Sequence, residues 1–350
     1  MTRLRMCLPI FAMAISLTSQ SHARDQIEVV GSSTVFPFAT SVAEQFGRKG
    51  KFKTPVVEAT GSGGGLKLFC SGIGLQHPDV TNASRRIKKK EFDKWQANGI
   101  DMTEIVIGFD GIVLANARSG VPLKLTRKQI YLATAKLVPD PKNPCQDTWC
   151  APIANPYKKW SDIDASLPDM KIEILGPPPT SGTRDAFQEL AMSEGANQFP
   201  HMKALKKSDK ARWKKLTRTI REDGGWIDAG ENDNLMVSKL AANPRAVGVF
   251  GFSFLDQNAE KIRGAVVENI VPSFDNIADG KYGISRSLYF YVKQAHVGTV
   301  PGILEYIREF TSEEAFGEDG YLLDKGLIPL PRQERLKYRK DGQNLTKLSM

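Results

Sequence analysis

Apolar residues fall in short runs of two periods along this chain, and one three-part theme comes up three times. Ile27-Glu28-Val29-Val30 reads as a strand, Gly31-Ser32-Ser33-Thr34 as a turn, and Phe38 to Phe46 has apolar residues at helical spacing. Pro55 to Ala59 reads as a second strand, Gly61-Ser62-Gly63-Gly64-Gly65 as its turn, and Leu66 to Cys70 as the start of a helix. The third unit runs from the strand Lys171 to Leu175 through the rigid loop Gly176-Pro177-Pro178-Pro179. Thr180-Ser181-Gly182-Thr183-Arg184 then opens a helix over Asp185 to Met192. Glu104 to Leu114 is the longest strand signal, and Tyr282 to Val292 is a second long one; the two are suited to cross between lobes. Further helices are expected over Glu91 to Asn98, after Thr126 as N-cap, over Asp233 to Ala242, and over Val300 to Thr311, the last packed on the first lobe. Strands that alternate with helices in this way make an α/β chain.

A strand, a Gly/Ser/Thr turn and a helix start can bind an anion by elementary means. Glycine lets the backbone approach a ligand, and the first helical turn has unpaired N–H groups and a partial positive charge. Hydroxyls add neutral donors, and Arg184 adds a planar cation able to grip an oxyanion with two parallel hydrogen bonds. The same Ser and Thr residues also serve as ordinary helix caps, so each unit alone has a structural reading as well as a ligand-binding one. Three together favour the ligand.

Composition narrows the setting. A chain of 350 residues, 41% hydrophobic and 25% charged, fits a soluble protein of two domains better than one. Arg3 and Arg5, the apolar run Leu8 to Leu17 and Ser21-His22-Ala23 form a secretory signal peptide over 1–23, so export and a periplasmic location are expected. No later run is long and apolar enough to span a membrane. Removing Arg3 and Arg5 from the 48 basic residues leaves 46 against 39 acidic ones, a balance of +7. Cys145 and Cys150 sit in a proline-rich segment of an exported chain, where a local disulfide is expected. Cys70 reads as a buried thiol. His77, His201 and His296 are too scattered for a metal site. Eight basic residues between Lys203 and Arg218, those between Arg86 and Lys90, and the tail from Arg335 read as solvated faces; nucleic-acid binding is not expected.

Enzyme motifs fail. Leu66 stands where a phosphate-binding P-loop or a dinucleotide fingerprint needs another residue, and no G-x-S-x-G or H-E-x-x-H occurs. No cofactor is called for.

Five stretches carry a resemblance: Gly31 to Pro37, Ala59 to Gly65, Asn82-Ala83-Ser84-Arg85, Ile107 to Gly111 and Thr180 to Arg184. In this order and spacing the chain resembles the phosphate-binding subunit of bacterial phosphate ABC importers across almost its full mature length. The resemblance implies a two-lobed, hinged periplasmic-binding-protein fold of type II, each lobe a mixed sheet flanked by helices. The first lobe would hold 24–112 and 283–350, basic tail included, and the second 113–282. It further implies a monomer without catalysis that closes on inorganic phosphate and delivers it to a membrane permease. Carried over by position, the ligand set is Ser33, Thr34, Ser62, Ser181, Gly182 and Thr183, with Arg85 and Arg184 as charged members. Two positions depart from the best-known relatives. Arg85 stands where they have an aspartate that accepts the proton of hydrogen phosphate, and an arginine can only donate. Pro177 stands where they have an arginine, a charge Arg184 is placed to replace. Asp110 and Asp223 are candidate proton acceptors in its stead. A receptor for another oxyanion such as sulfate, and an exported phosphatase-like hydrolase, are the competing readings.

Overall fold

The computed structural model describes residues 24–142, 151–179, 181–230 and 233–350. The signal peptide, Thr180 and the expected Cys145–Cys150 bridge lie outside the described residues. The chain opens with β1 (Glu28–Gly31), α1 (Phe36–Arg48), β2 (Val56–Ala59), α2 (Ser62–Phe69), β3 (Val80–Ala83), α3 (Lys89–Ala97) and β4 (Met102–Ala117). The strands β2, β1 and β3 pair in parallel in that order. The return strand Ser285–Lys293 lies antiparallel between β3 and β4.

β4 organises the molecule. Its sixteen residues are buried at all but one position, as a strand covered on both faces must be. Its first half pairs with the return strand from Met102 to Gly111. Its second half pairs with the strands Val247–Gly251 and Ile262–Gly264. Val247–Gly251 continues in parallel to Ile174–Gly176, which pairs in parallel with Trp226–Asp228. One mixed α/β sheet path therefore serves two lobes, with β4 common to both.

The lobes have their own cores. On one face of the first sheet Val42, Phe46, Ile105, Phe290, Tyr306 and Phe310 pack together, and on the other Leu66, Phe69, Trp95 and Tyr291. The second lobe packs around Ile112, Leu114, Tyr131, Phe187, Trp226 and Phe250. Near the crossing, the register slips between Leu288 and Tyr289, leaving Ile107 as an extra residue on β4. This bulge sits beside Gly108, whose φ is +153° and whose missing Cβ would lie 2.5 Å from the carbonyl oxygen of Ile328. Phe109 and Ile328 exchange both backbone hydrogen bonds, at 2.8 and 3.0 Å. The chain's late segment thus clasps the crossing.

Three expectations need correction. The second glycine turn is itself helical: α2 begins at Ser62, not Leu66. Gly65 packs so closely on β1 that a Cβ would lie 2.5 Å from Gly31 Cα, a contact that outweighs glycine's poor helix propensity. The third-unit helix is α-helical only over Gly182–Phe187 and widens to a π-helix over Gln188–Ser193. Finally, the C-terminal tail is a helix, Arg332–Gln343, and Arg335 is buried rather than solvated, bonded to Glu313, Glu318 and the Leu330 carbonyl. The basic stretch from Lys203 is two helices, Pro200–Ser208 and Lys210–Arg218, divided at Asp209, whose side chain caps the second by accepting from Arg212 N–H at 2.9 Å. Lys203, Lys207, Lys210, Lys214 and Lys215 are exposed as expected. Cys70 is buried, and burial pushes its thiol up to about 12.

Lys293, fully buried, donates to the Gly72 carbonyl at 2.7 Å and lies 4.9 Å above the Phe69 ring. Burial pushes its ammonium down to about 8, against an opposing pull from Asp79. An unfolded lysine titrates near ~10.4, so between these values the unfolded chain binds more protons and folding stability gains as pH rises. Cys70 works in the opposite sense, because its folded thiol holds a proton that the unfolded chain gives up. Subtracting a Lys293→Met variant isolates the lysine. Urea unfolding at about pH 7.5 and about pH 9.5 should show the wild type gaining stability relative to that variant.

Candidate functional site

The three turns leave the carboxyl ends of parallel strands, where open α/β sheets hold their ligands. The first follows β1. Gly31, at φ +141°, faces the end of β3 so closely that a Cβ would fall 2.1 Å from the Asn82 carbonyl oxygen. Ser32 N–H donates to that same oxygen at 3.0 Å, and Ser33 and Thr34 turn the chain into α1. The second follows β2. Gly61, at φ +73°, caps α2, and the Ser62 hydroxyl oxygen accepts from Ser84 N–H at 3.0 Å while lying 3.1 Å from Ser84 Oγ. Ser62 is thereby tied to the end of β3.

The third turn comes from the other lobe and meets the first face to face. Ser181 caps its helix by accepting from Thr183 N–H at 3.2 Å. A Cβ on Gly182 would lie 2.9 Å from Thr34 Cα and 3.0 Å from the Ser33 carbonyl oxygen. Ser33 Oγ donates to Asp185 Oδ2 at 2.7 Å. Ser33, Thr34 and Gly182 are thus in contact across the two lobes, and Gly65 ties the second turn to the first.

One residue at this meeting point was not anticipated. Arg286, in the return strand, donates through Nη2 to Thr34 Oγ1 at 2.7 Å and through Nη1 to Glu189 Oε2 at 3.0 Å. Its Nε lies 3.5 Å from Asp110 Oδ2. Burial pushes the Asp110 carboxyl up, and Arg286 pulls it the other way. Glu189 shows the reverse balance: its partial burial would raise it, but Arg286 and Arg218 together hold it below the usual range. Its place on a strand expected to cross between lobes was the available signal, since a cation drawn out of water there needs partners.

The two expected arginines are engaged elsewhere in the structure. Arg85 forms a bidentate pair with Glu91 at 2.7 and 2.8 Å, and Glu91 also accepts from Lys88 N–H at the start of α3. Arg184 donates to Asp228 at 2.5 Å, lies 5.5 Å over the Trp226 ring, and reaches the Pro177 carbonyl at 3.1 Å. Its charge therefore does lie beside Pro177. Asp223 is saturated by Arg221 at 2.6 and 2.7 Å and by Lys158 at 2.6 Å, all groups of the second lobe, and these hold its carboxyl far below the usual range. Among the described residues no group of three or more His, Cys, Asp or Glu side chains could hold a metal ion.

A sheet path shared by two lobes, with hydroxyl-bearing turns meeting between them, is the architecture of a ligand-binding receptor. The chain belongs to the PBP superfamily: the model of the PBP superfamily domain matches residues 17–314. It is 29% identical over 338 residues to protein SphX of Synechococcus elongatus, across 94% of this chain and 86% of that protein. It is 26% identical over 313 residues to phosphate-binding protein PstS of Staphylococcus saprophyticus, across 87% and 80%. A possible phosphate binding protein from Planctomyces limnophilus shares the fold with a TM-score of 0.70 at 24% identity, over 93% of this chain and 99% of that one. An ABC-type phosphate transport receptor from Vibrio cholerae does so at 0.55 and 20%, over 87% and 100%.

Gly182 offers a direct test of the contact between lobes. In Gly182→Ala the new methyl meets backbone of the opposite lobe, which cannot rotate away. Overpacking of this kind costs about 1–3 kcal/mol; borne by closure, it should lower the affinity for a ligand held between the lobes by about 5- to 150-fold. Calorimetric titration measures the loss, and an unchanged melting temperature without ligand would assign it to closure.

Proposed function

We propose that this protein is an exported phosphate-binding receptor that captures inorganic phosphate between its lobes and delivers it to the membrane permease of an ABC importer. The observation that carries the reading is the meeting of three Ser/Thr-bearing turns at one place, two from one lobe and one from the other, with Gly182 against Thr34. The names of the relatives support phosphate as the ligand. In this reading Ser33, Thr34, Ser62, Ser181, Gly182 and Thr183 surround the anion with hydroxyl and N–H groups, and Arg85 and Arg184 supply charge. Arg286 joins them as a cation held at the crossing. The first lobe comprises 24–112 and 283–350, and the second 113–282. The protein acts in the periplasm as a monomer after loss of residues 1–23, and it binds rather than turns over its ligand.

Titration of the mature protein with phosphate tests the reading: binding at micromolar ligand is expected, and no heat of binding would overturn it. Arg85→Ala and Arg184→Ala should each weaken phosphate by about 1.5–3 kcal/mol, the range for hydrogen bonds to a charged group. Unchanged affinity in either variant would remove that arginine from the site and leave it as the partner of Glu91 or Asp228.

A further inference from the structure

A hydroxyl has one proton to give and lone pairs with which to accept, so a protein partner that takes one of these decides what is left for a ligand. Thr34 Oγ1 accepts from Arg286 at 2.7 Å, and Ser181 Oγ accepts from Thr183 N–H at 3.2 Å. Both keep their own proton to donate. Ser62 Oγ accepts from Ser84 N–H at 3.0 Å. With Ser84 Oγ 3.1 Å away, these two hydroxyls hold two protons, one for the contact between them and one left over. Ser33 is the opposite case. Its proton goes to Asp185 Oδ2 at 2.7 Å, and an ionised carboxylate can only accept. Towards a ligand Ser33 therefore presents lone pairs, next to the donor Thr34.

We infer that Asp185, acting through the Ser33 hydroxyl, makes the site select an oxyanion that carries a proton. This rests on the phosphate-receptor reading above and supplies what that reading lacks, a group that senses the ligand's proton although Arg85 can only donate. Hydrogen phosphate has one protonated oxygen to place against Ser33. Sulfate has none, so it would set lone pair against lone pair with the Asp185 charge behind. Asp185 is a positioning residue here: it need not touch the ligand, only hold the Ser33 proton.

The test is calorimetric titration of the mature protein with phosphate and with sulfate, at a pH where phosphate is the monoprotonated dianion. Wild type, Asp185→Asn, Asp185→Ala and Thr34→Val are compared. Asp185 is exposed, so the near-isosteric Asn variant disturbs no core. Its amide can turn to donate to Ser33 and so free the serine proton for the ligand. Both Asp185 variants should lower the ratio of phosphate to sulfate affinity by about tenfold or more, mainly by gaining sulfate, as one mismatched hydrogen bond implies. Thr34→Val should weaken both anions together, because it removes a donor that either can use. A ratio unchanged in both Asp185 variants, with phosphate still bound, would overturn this inference and leave the receptor reading standing. Failure of the wild type to bind phosphate would take both down.

Discussion

The antiparallel ladder between β4 and the return strand Ser285–Lys293 is the constraint on which everything else depends. It runs from Met102 opposite Lys293 to Gly111 opposite Ser285, and beyond it β4 exchanges this partner for the strands of the second lobe. A strand buried on both faces cannot leave its N–H and C=O groups unpaired, so the two lobes are fixed to one continuous hydrogen-bonded element. The only relief along it is the bulge at Ile107 and Gly108. Asp110 and Arg286, register partners just past that bulge, put a buried ion pair at the place where the lobes part. Removing one member of such a pair strands the other in low dielectric and is far more damaging than losing a surface salt bridge.

From that ladder the geometry of the meeting turns follows. Parallel strands in both lobes direct their carboxyl ends to the same side, and each delivers a short turn that only small residues can make. Gly31 lies against Asn82, Gly65 against Gly31 and Gly182 against Thr34, each closer than a side chain would allow. The polar groups are arranged with equal economy. Arg286 takes Thr34, Asp185 takes Ser33 and Ser84 takes Ser62, so few hydroxyls at the centre are free to rotate at will. Such a site is largely oriented before anything enters it, which lowers the ordering cost of binding.

Much of this was legible in the sequence for local reasons. The three turns announce themselves because Gly, Ser and Thr act within a few residues of their own position, and Thr126 caps its helix as expected, accepting from Gln129 N–H at 3.1 Å. What escaped depends on contacts distant in sequence. The helical start at Ser62 is imposed by β1 packing on Gly65. Arg335 is buried because Glu313, Glu318 and the Leu330 carbonyl gather around it, and no basic run shows that by itself. Arg286 became visible only once the register of the crossing was known, since its partners Thr34, Asp110 and Glu189 come from three separate parts of the chain. Arg85 illustrates the converse: its charge was plain, but its commitment to Glu91 at the start of α3 was not.

The clasp of Ile328 on Phe109 bears on how the molecule comes into being. The crossing is built from segments around residues 109, 288 and 328, so it is unfinished until nearly the last of the chain has emerged. The second lobe, drawn mainly from one contiguous stretch, can condense early. The first waits for a partner strand and a clasp separated from β1 by some of the longest loops in the protein, and closing such loops slows folding. A chain that matures in this order leaves the first lobe and the crossing incomplete for most of its synthesis.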